Sequence, residues 1–246
     1  MHRFFLQQDL NKDDEISLNK DLSHQIINVL RMNEGDKFEL FNNTEKYFFS
    51  EITLKENNVV NCKILSEFSG IKENLEINVF QSIIKSAKME LIIDKLTEIG
   101  ISSFNPIVTE RTQRKDVESF SENKLERLKK ISIESSEQSG KIHLPEINNK
   151  VNIKEKDFKK NDNTNIIFYE NIKDSVSINN IEKNLLSEKS ISIFIGPVGG
   201  FSINEIEFLK NQESIILNLG NTIFKSDTAS IISVSLLRYI IAGAFN

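Results

Sequence analysis

The feature that most constrains the fold is a change of rhythm in the chain near residue 70. Beyond it, short apolar runs alternate with segments of helical period as far as the C-terminus. Residues 75–80, 104–108, 165–169, 191–195 and 214–217 are apolar runs of strand length. Between them, Met89, Ile92, Leu96 and Ile99 recur at helical spacing over 88–99, and Gly100 is placed to end that helix. Further helices are expected over 121–138, where Leu125 and Leu128 share a side, and over 178–186, 202–210 and 228–242. Strands alternating with helices predict an α/β fold, a parallel sheet covered on both faces.

The first part of the chain reads differently. Residues 4–6, 37–41, 47–54 and 59–65 are rich in aromatic and β-branched side chains, separated by Gly35-Asp36 and by Asn-rich turns. Ser23 is placed to cap a helix through Ile26, Ile27 and Leu30. Closely spaced short strands of this kind predict a small β-barrel. The polar stretch 67–74, which contains Gly70, is the expected boundary between a domain of residues 1–70 and one of residues 71–246.

Composition narrows the function classes. Hydrophobic residues make up 39% and charged residues 27% of the 246, as in a protein that buries a core. Cys62 is the one cysteine, so no intramolecular disulfide is possible, which fits a reducing compartment. His2, His24 and His143 share no ligand spacing with Cys62, so no metal site is expected. Residues 1–6 lack the apolar run of a signal peptide, and Ser233, Ser235 and Arg238 interrupt 231–244, so no membrane span and a cytoplasmic location are expected. The formal charge of −5 argues mildly against nucleic acid. Binding depends on local patches, however, and Arg111-Thr-Gln-Arg114-Lys115, expected on a loop after 104–108, is one; Lys85 and Lys88 form a weaker one.

Two glycine loops carry the chemistry. Gly196-Pro-Val-Gly199-Gly200-Phe-Ser202 follows one apolar strand, and Gly220 opens an irregular loop after the next, leading to Asp227-Thr228 at the start of the last helix. Glycines admit close approach of a ligand to the backbone, and ligands of parallel sheets bind beyond the carboxyl ends of the strands. Neither loop matches the dinucleotide fingerprint or the phosphate loop, which argues against a nicotinamide-dependent dehydrogenase. Ser202, Asp227 and Thr228 also fit plain helix caps. Ile231, Ile232, Val234, Leu236, Leu237, Tyr239, Ile240 and Ile241 cover most of the final helix, as in a central core helix or one that also meets a second subunit.

These motifs together resemble the ribosomal RNA small subunit methyltransferase E family. The resemblance is carried by 196–202, by Leu219-Gly-Asn-Thr-Ile-Phe-Lys-Ser-Asp-Thr-Ala, by Glu137-Gln-Ser-Gly140, by Met89-Glu90, by Thr97-Glu98-Ile-Gly100, by Glu110-Arg111 with Lys115, and by Met1-His-Arg-Phe-Phe. It spans essentially the whole chain and implies a SPOUT-type parallel sheet with a C-terminal trefoil knot, behind a PUA-like β-barrel that binds RNA. The implied activity is S-adenosylmethionine-dependent methylation of N3 of a uridine in 16S ribosomal RNA by a homodimer. The implied cofactor-binding set is Glu170, Ile195, Gly196, Gly199, Gly200, Leu217, Leu219, Gly220, Ile223, Phe224 and Thr228. RNA binding is expected of Arg3, Arg31, Arg111, Arg114, Lys115 and Lys141.

Uracil N3 must lose a proton to become a nucleophile, and a nearby cation favours the anion. Lys225 and Arg111 are the candidate cations, and Asp227 or Glu98 the candidate proton acceptor. The sequence departs from the family pattern at Val198, where the family has Glu, at Lys225 and Lys141, where it has Arg, and at Asp227, where it has Glu. A lysine keeps the charge and loses the planar fork. These departures leave open a non-catalytic or altered-specificity RNA-binding member of the same fold.

Overall fold

The computed structural model describes residues 1–70, 75–159, 163–170, 175–178 and 189–242. The chain divides into two compact units, Met1–Lys72 with Ser136–Leu144, and Glu73–Ser135 with Pro145–Asn246.

The first unit is built on a five-stranded sheet in the order β1-β3-β4-β5-β2. These strands are β1 (Arg3–Phe5), β2 (Glu15–Ser17), β3 (Lys37–Phe41), β4 (Lys46–Glu56) and β5 (Val59–Ser69). Along β4, Phe48, Ser50 and Ile52 are buried while Tyr47, Phe49 and Glu51 are half-buried, the period-2 alternation of a sheet with one covered face. Asn57 and Asn58 turn β4 into β5 with φ of 51° and 62°, a conformation asparagine tolerates and tight hairpins need. Phe4, Phe38, Leu40, Phe48, Val60 and Ile64 pack with Leu22 and Ile26 into one core. Cys62 lies in it, and burial pushes its thiol up to about 12, so it stays protonated.

Helix α1 (Lys20–His24) passes into a π-helical turn, Gln25–Val29. Its cap is Asn19, whose side chain accepts the Leu22 N–H at 2.9 Å, and not Ser23 as expected. Ser23 already lies a full turn inside the helix and is buried. Its hydroxyl donates to the Leu18 carbonyl and accepts the Val60 N–H at 3.1 Å, which joins the helix to β5.

In the second unit the described strands form an eight-stranded sheet, and all of its ladders are parallel, as the alternating rhythm predicts. The order is β11-β13-β10-β12-β6-β7-β8, with β9 beside β7. The ranges are β6 (Glu76–Ser82), β7 (Ser103–Val108), β8 (Glu146–Ile147), β9 (Val151–Asn152), β10 (Thr164–Phe168), β11 (Val176–Ser177), β12 (Ser190–Ile195) and β13 (Ile215–Asn218). Adjacent side chains enter opposite cores. Ile193 and Ile195 of β12 pack with Met89, Ile92 and Leu96 of α2 (Ser86–Ile99) and with Val234 and Leu237 of α6 (Ser226–Ala242). Phe194 faces the other side, stacked on Phe80 at 4.8 Å, beside Ile206 and Leu209 of α5 (Ile203–Asn211).

Two further α-helices are α3 (Arg114–Ser119) and α4 (Glu122–Ser139), the latter ending in the first unit, and a 3-10 turn spans Ile153–Glu155. Arg114 and Lys115 therefore begin a helix where a loop was expected, with Gln113 at its N-cap position. The helix expected over 178–186 lies almost wholly outside the described residues. Gly100 ends α2 with φ of 97°, and buried Arg238 donates to its carbonyl at 2.8 Å, a cation at the negative end of the helix. On α6, Ser230, Ser233, Val234, Leu237 and Arg238 are buried, whereas Leu236 and Tyr239 stand exposed. No described helix is long and apolar enough to cross a membrane.

Candidate active site

Strands β13, β10 and β12 are neighbours in that order and run parallel, so their carboxyl ends share one edge of the sheet. The chain leaving each of them lines one cleft: Tyr169 and Glu170 after β10, Gly196, Pro197, Val198, Gly200 and Phe201 after β12, and Leu219, Gly220, Thr222, Ile223, Phe224 and Ser226 after β13. The cleft holds about 660 Å³ of empty space with its open mouth included. Its walls depend on small residues. A Cβ on Gly196 would stand 3.2 Å from the Phe201 nitrogen, because the loop folds back on itself there. Gly200 holds φ of 68°, and its Cβ would meet a Glu170 carboxylate oxygen at 2.6 Å. Gly220, with φ of 91°, donates its N–H to the Asn218 side chain at 3.0 Å.

Polar groups hold these loops from behind. The Ser226 hydroxyl donates to the Gly196 carbonyl at 2.6 Å and accepts from the Gln81 amide at 3.0 Å, which ties the start of α6 and the end of β6 to the glycine loop. Ser202 and Glu205 form a capping box at the start of α5. Glu205 is fully buried, and its carboxylate accepts the Ser202 N–H at 2.8 Å and the Glu110 N–H at 2.7 Å. Arg111 donates to the carbonyls of Gly199 and Phe201 at 2.9 and 3.3 Å.

Of the residues expected to hold the cofactor, Glu170, Ile195, Gly196, Gly200, Leu219, Gly220, Ile223 and Phe224 line the cleft. Three do not. Leu217 points into the core, Thr228 is exposed on α6, and Gly199 faces the stem of Arg111, 3.5 Å from where its Cβ would be. Lys225 is exposed between the cleft residues Phe224 and Ser226. Asp227 bonds Lys88 at 2.7 Å. Burial raises its pKa, but the Lys88 hydrogen bond, its own backbone amide and the charges of Lys88 and Lys225 together outweigh that and hold it below the ordinary value. A carboxylate so held is a poor proton acceptor. Glu98 is paired with Lys95 on the surface of α2 and is not on the cleft wall.

A family profile described as the RNA methyltransferase domain matches residues 72–238. A ribosomal RNA small subunit methyltransferase E of Buchnera aphidicola (subsp. Schizaphis graminum) is 32% identical over 240 residues, 96% of this chain and 95% of the relative. The chain belongs to the ribosomal RNA small subunit methyltransferase E family. The same named protein of Rickettsia conorii is 30% identical over 243 residues, 97% of this chain and 96% of its own. Among solved structures, a Legionella pneumophila protein with the cofactor SAM bound superposes with a TM-score of 0.87 at 26% identity, over 97% of both chains. A ribosomal RNA small subunit methyltransferase E of Neisseria gonorrhoeae, bound to S-adenosyl methionine, has a TM-score of 0.88 at 24% identity over 98% of both chains, which supports the fold.

Within the methyltransferase E family pattern, Val198 is the departure with a visible consequence. It stands on the cleft wall with 73% of its surface exposed, and the carboxylate among the described lining residues is that of Glu170. Helix α5 is capped without it, by Ser202 and Glu205. Of the residues expected to bind RNA, Arg114 is 92% exposed and pairs with Glu118, and Lys115 is exposed beside it. In the first unit Arg31 is exposed, whereas Arg3 is engaged by Glu39 and the Gly140 carbonyl and lies over the Tyr47 ring. Lys141 is half-buried. Sequence reasoning missed Gln81, which carries no motif, and Glu205, whose Ser-x-x-Glu spacing from Ser202 was there to be read. Among the described residues no three His, Cys, Asp or Glu side chains gather as metal ligands.

Proposed function

We propose that the protein is an S-adenosylmethionine-dependent methyltransferase that modifies N3 of a uridine in 16S ribosomal RNA, as a cytoplasmic homodimer. The observation that carries this is the cleft itself, walled by loops from three adjacent parallel strands and kept in shape by Gly196 and Gly200, where a Cβ would meet loop backbone or Glu170. Gly196, Gly200, Leu219, Gly220, Ile223 and Phe224 would hold the donor, with Glu170 on the facing wall. The donor, when bound, supplies a methyl group on a sulfonium sulfur.

The remaining chemistry belongs to the protein. Lys225, exposed beside the cleft, is the cation that favours loss of the uracil N3 proton to solvent water, leaving the N3 lone pair to take the methyl group from the donor sulfur. Asp227 shares that end of α6 and fixes Lys88 beside it. Arg111 presents positive charge from the opposite loop. Positioning of the two reactants supplies most of the acceleration. RNA is held by Arg31, Arg3 and Lys141 in the first unit and by Arg111, Arg114 and Lys115 in the second. In fold terms we assign residues 1–70, together with 136–144 of the same unit, to a PUA-like barrel and the rest of 71–246 to a SPOUT domain with a trefoil knot. Exposed Leu236 and Tyr239 on α6 support the dimer.

Small ribosomal subunits lacking the modification, incubated with methyl-labelled donor and digested to nucleosides, test the reaction. Labelled 3-methyluridine is expected, and Lys225→Met is expected to lower kcat by at least about tenfold. RNA binding with no transfer would favour the non-catalytic reading that Val198 raises.

A further inference from the structure

Arg111 and Gly199 stand 88 residues apart in the chain, yet the loops that hold them exchange side chains in both directions. From the loop between β7 and α3, the Arg111 guanidinium donates to the Gly199 and Phe201 carbonyls. In return, Glu205 accepts the N–H of Glu110 with one carboxylate oxygen and that of Ser202 with the other. The contact made by Glu205 is no surface accident. Glu205 is fully buried, and a carboxylate taken out of water is costly unless its oxygens are bonded. Capping α5 alone needs one of its two oxygens; the other is spent on the neighbouring loop. Gly199 matches the arrangement from the opposite side. The Arg111 stem lies flat against it, with Cβ and Cδ 3.5 and 3.6 Å from where a side chain would begin. Lys154 extends the network by pairing with Glu110 at 2.5 Å.

We propose that Arg111 and Glu205 are positioning residues that form a reciprocal clasp, fixing the glycine loop in the shape that receives S-adenosylmethionine. This assignment rests on the donor-cleft reading above. The clasp acts through geometry. Both carbonyls are met by one nitrogen, Nη1, whose N–H groups are fixed in the guanidinium plane, whereas a lysine ammonium ends one bond earlier on a flexible stem and does not hold both. A role in charge alone would let lysine substitute.

Calorimetric titration of S-adenosylmethionine into wild type, Arg111→Lys and Glu205→Gln separates the possibilities. Arg111→Lys should bind the donor about tenfold more weakly despite keeping its charge. Glu205→Gln turns an amide group toward a backbone N–H and should weaken binding by a similar factor, with the change falling on the donor KM rather than on kcat. The two changes together should cost less than the product of their separate effects, because each opens the same clasp. Donor affinity in Arg111→Lys equal to wild type would overturn the clasp. Arg111 is at an exposed position, so that variant decides the matter even if Glu205→Gln does not fold. Failure of the wild type to bind the donor would instead overturn the cleft reading.

Discussion

Asp227 shows how one residue's surroundings decide what chemistry it can do. In sequence it is an acid at the start of an apolar helix, equally fit to cap, to pair or to take a proton. The structure places Lys88 against it, and its pKa falls below that of an ordinary aspartate. A carboxylate lowered on folding contributes stability above its unfolded value of about 3.9, and that contribution is lost as pH falls through the lower folded value. Asp227→Asn should therefore melt below wild type at neutral pH, with the gap closing in acid. Thermal melts across that range check this, and a gap that persists below both values would contradict the ion pair. Gly200 was legible as a residue that lets backbone approach a ligand. The direction Gly199 faces was not, because it is set by Arg111, far away in the chain.

Among the elements, those with a long period could be read and the short ones could not. Helices α2, α4, α5 and α6 carry enough turns for their apolar spacing to show, and their observed ends fall within two residues of expectation. Strands β8, β9 and β11 have two residues each and carry no period at all. Caps follow the same logic. Ser202 was read correctly because the glycine loop marks where α5 must begin, whereas Asn19 was passed over for Ser23, a residue equally apt by type. Removing the α5 cap by Ser202→Ala should cost about 1 kcal/mol in chemical denaturation. An unchanged denaturation midpoint would remove the capping box from the account.

At the scale of the whole molecule, the parallel α/β sheet was legible and the order of its strands was not. Placing β12 between β10 and β6 depends on crossovers that local periodicity does not encode. The last helix gave an intermediate case. Its surplus of apolar residues was plain in the sequence, and the structure buries one side while leaving Leu236 and Tyr239 in solvent. That exposed stripe is where we place the second subunit. Light scattering should report a dimer for wild type and a monomer for Leu236→Glu with Tyr239→Glu. A dimer unaffected by both charges would move the interface elsewhere.

We propose that this chain places the methyl group on N3 of a uridine in 16S ribosomal RNA. The most direct measurement is a nucleoside digest of that RNA from a strain lacking the protein, set beside the parent and a complemented strain. 3-Methyluridine is expected in the parent, with its loss on deletion and its return on complementation. An unchanged 3-methyluridine content in the deletion strain would contradict it.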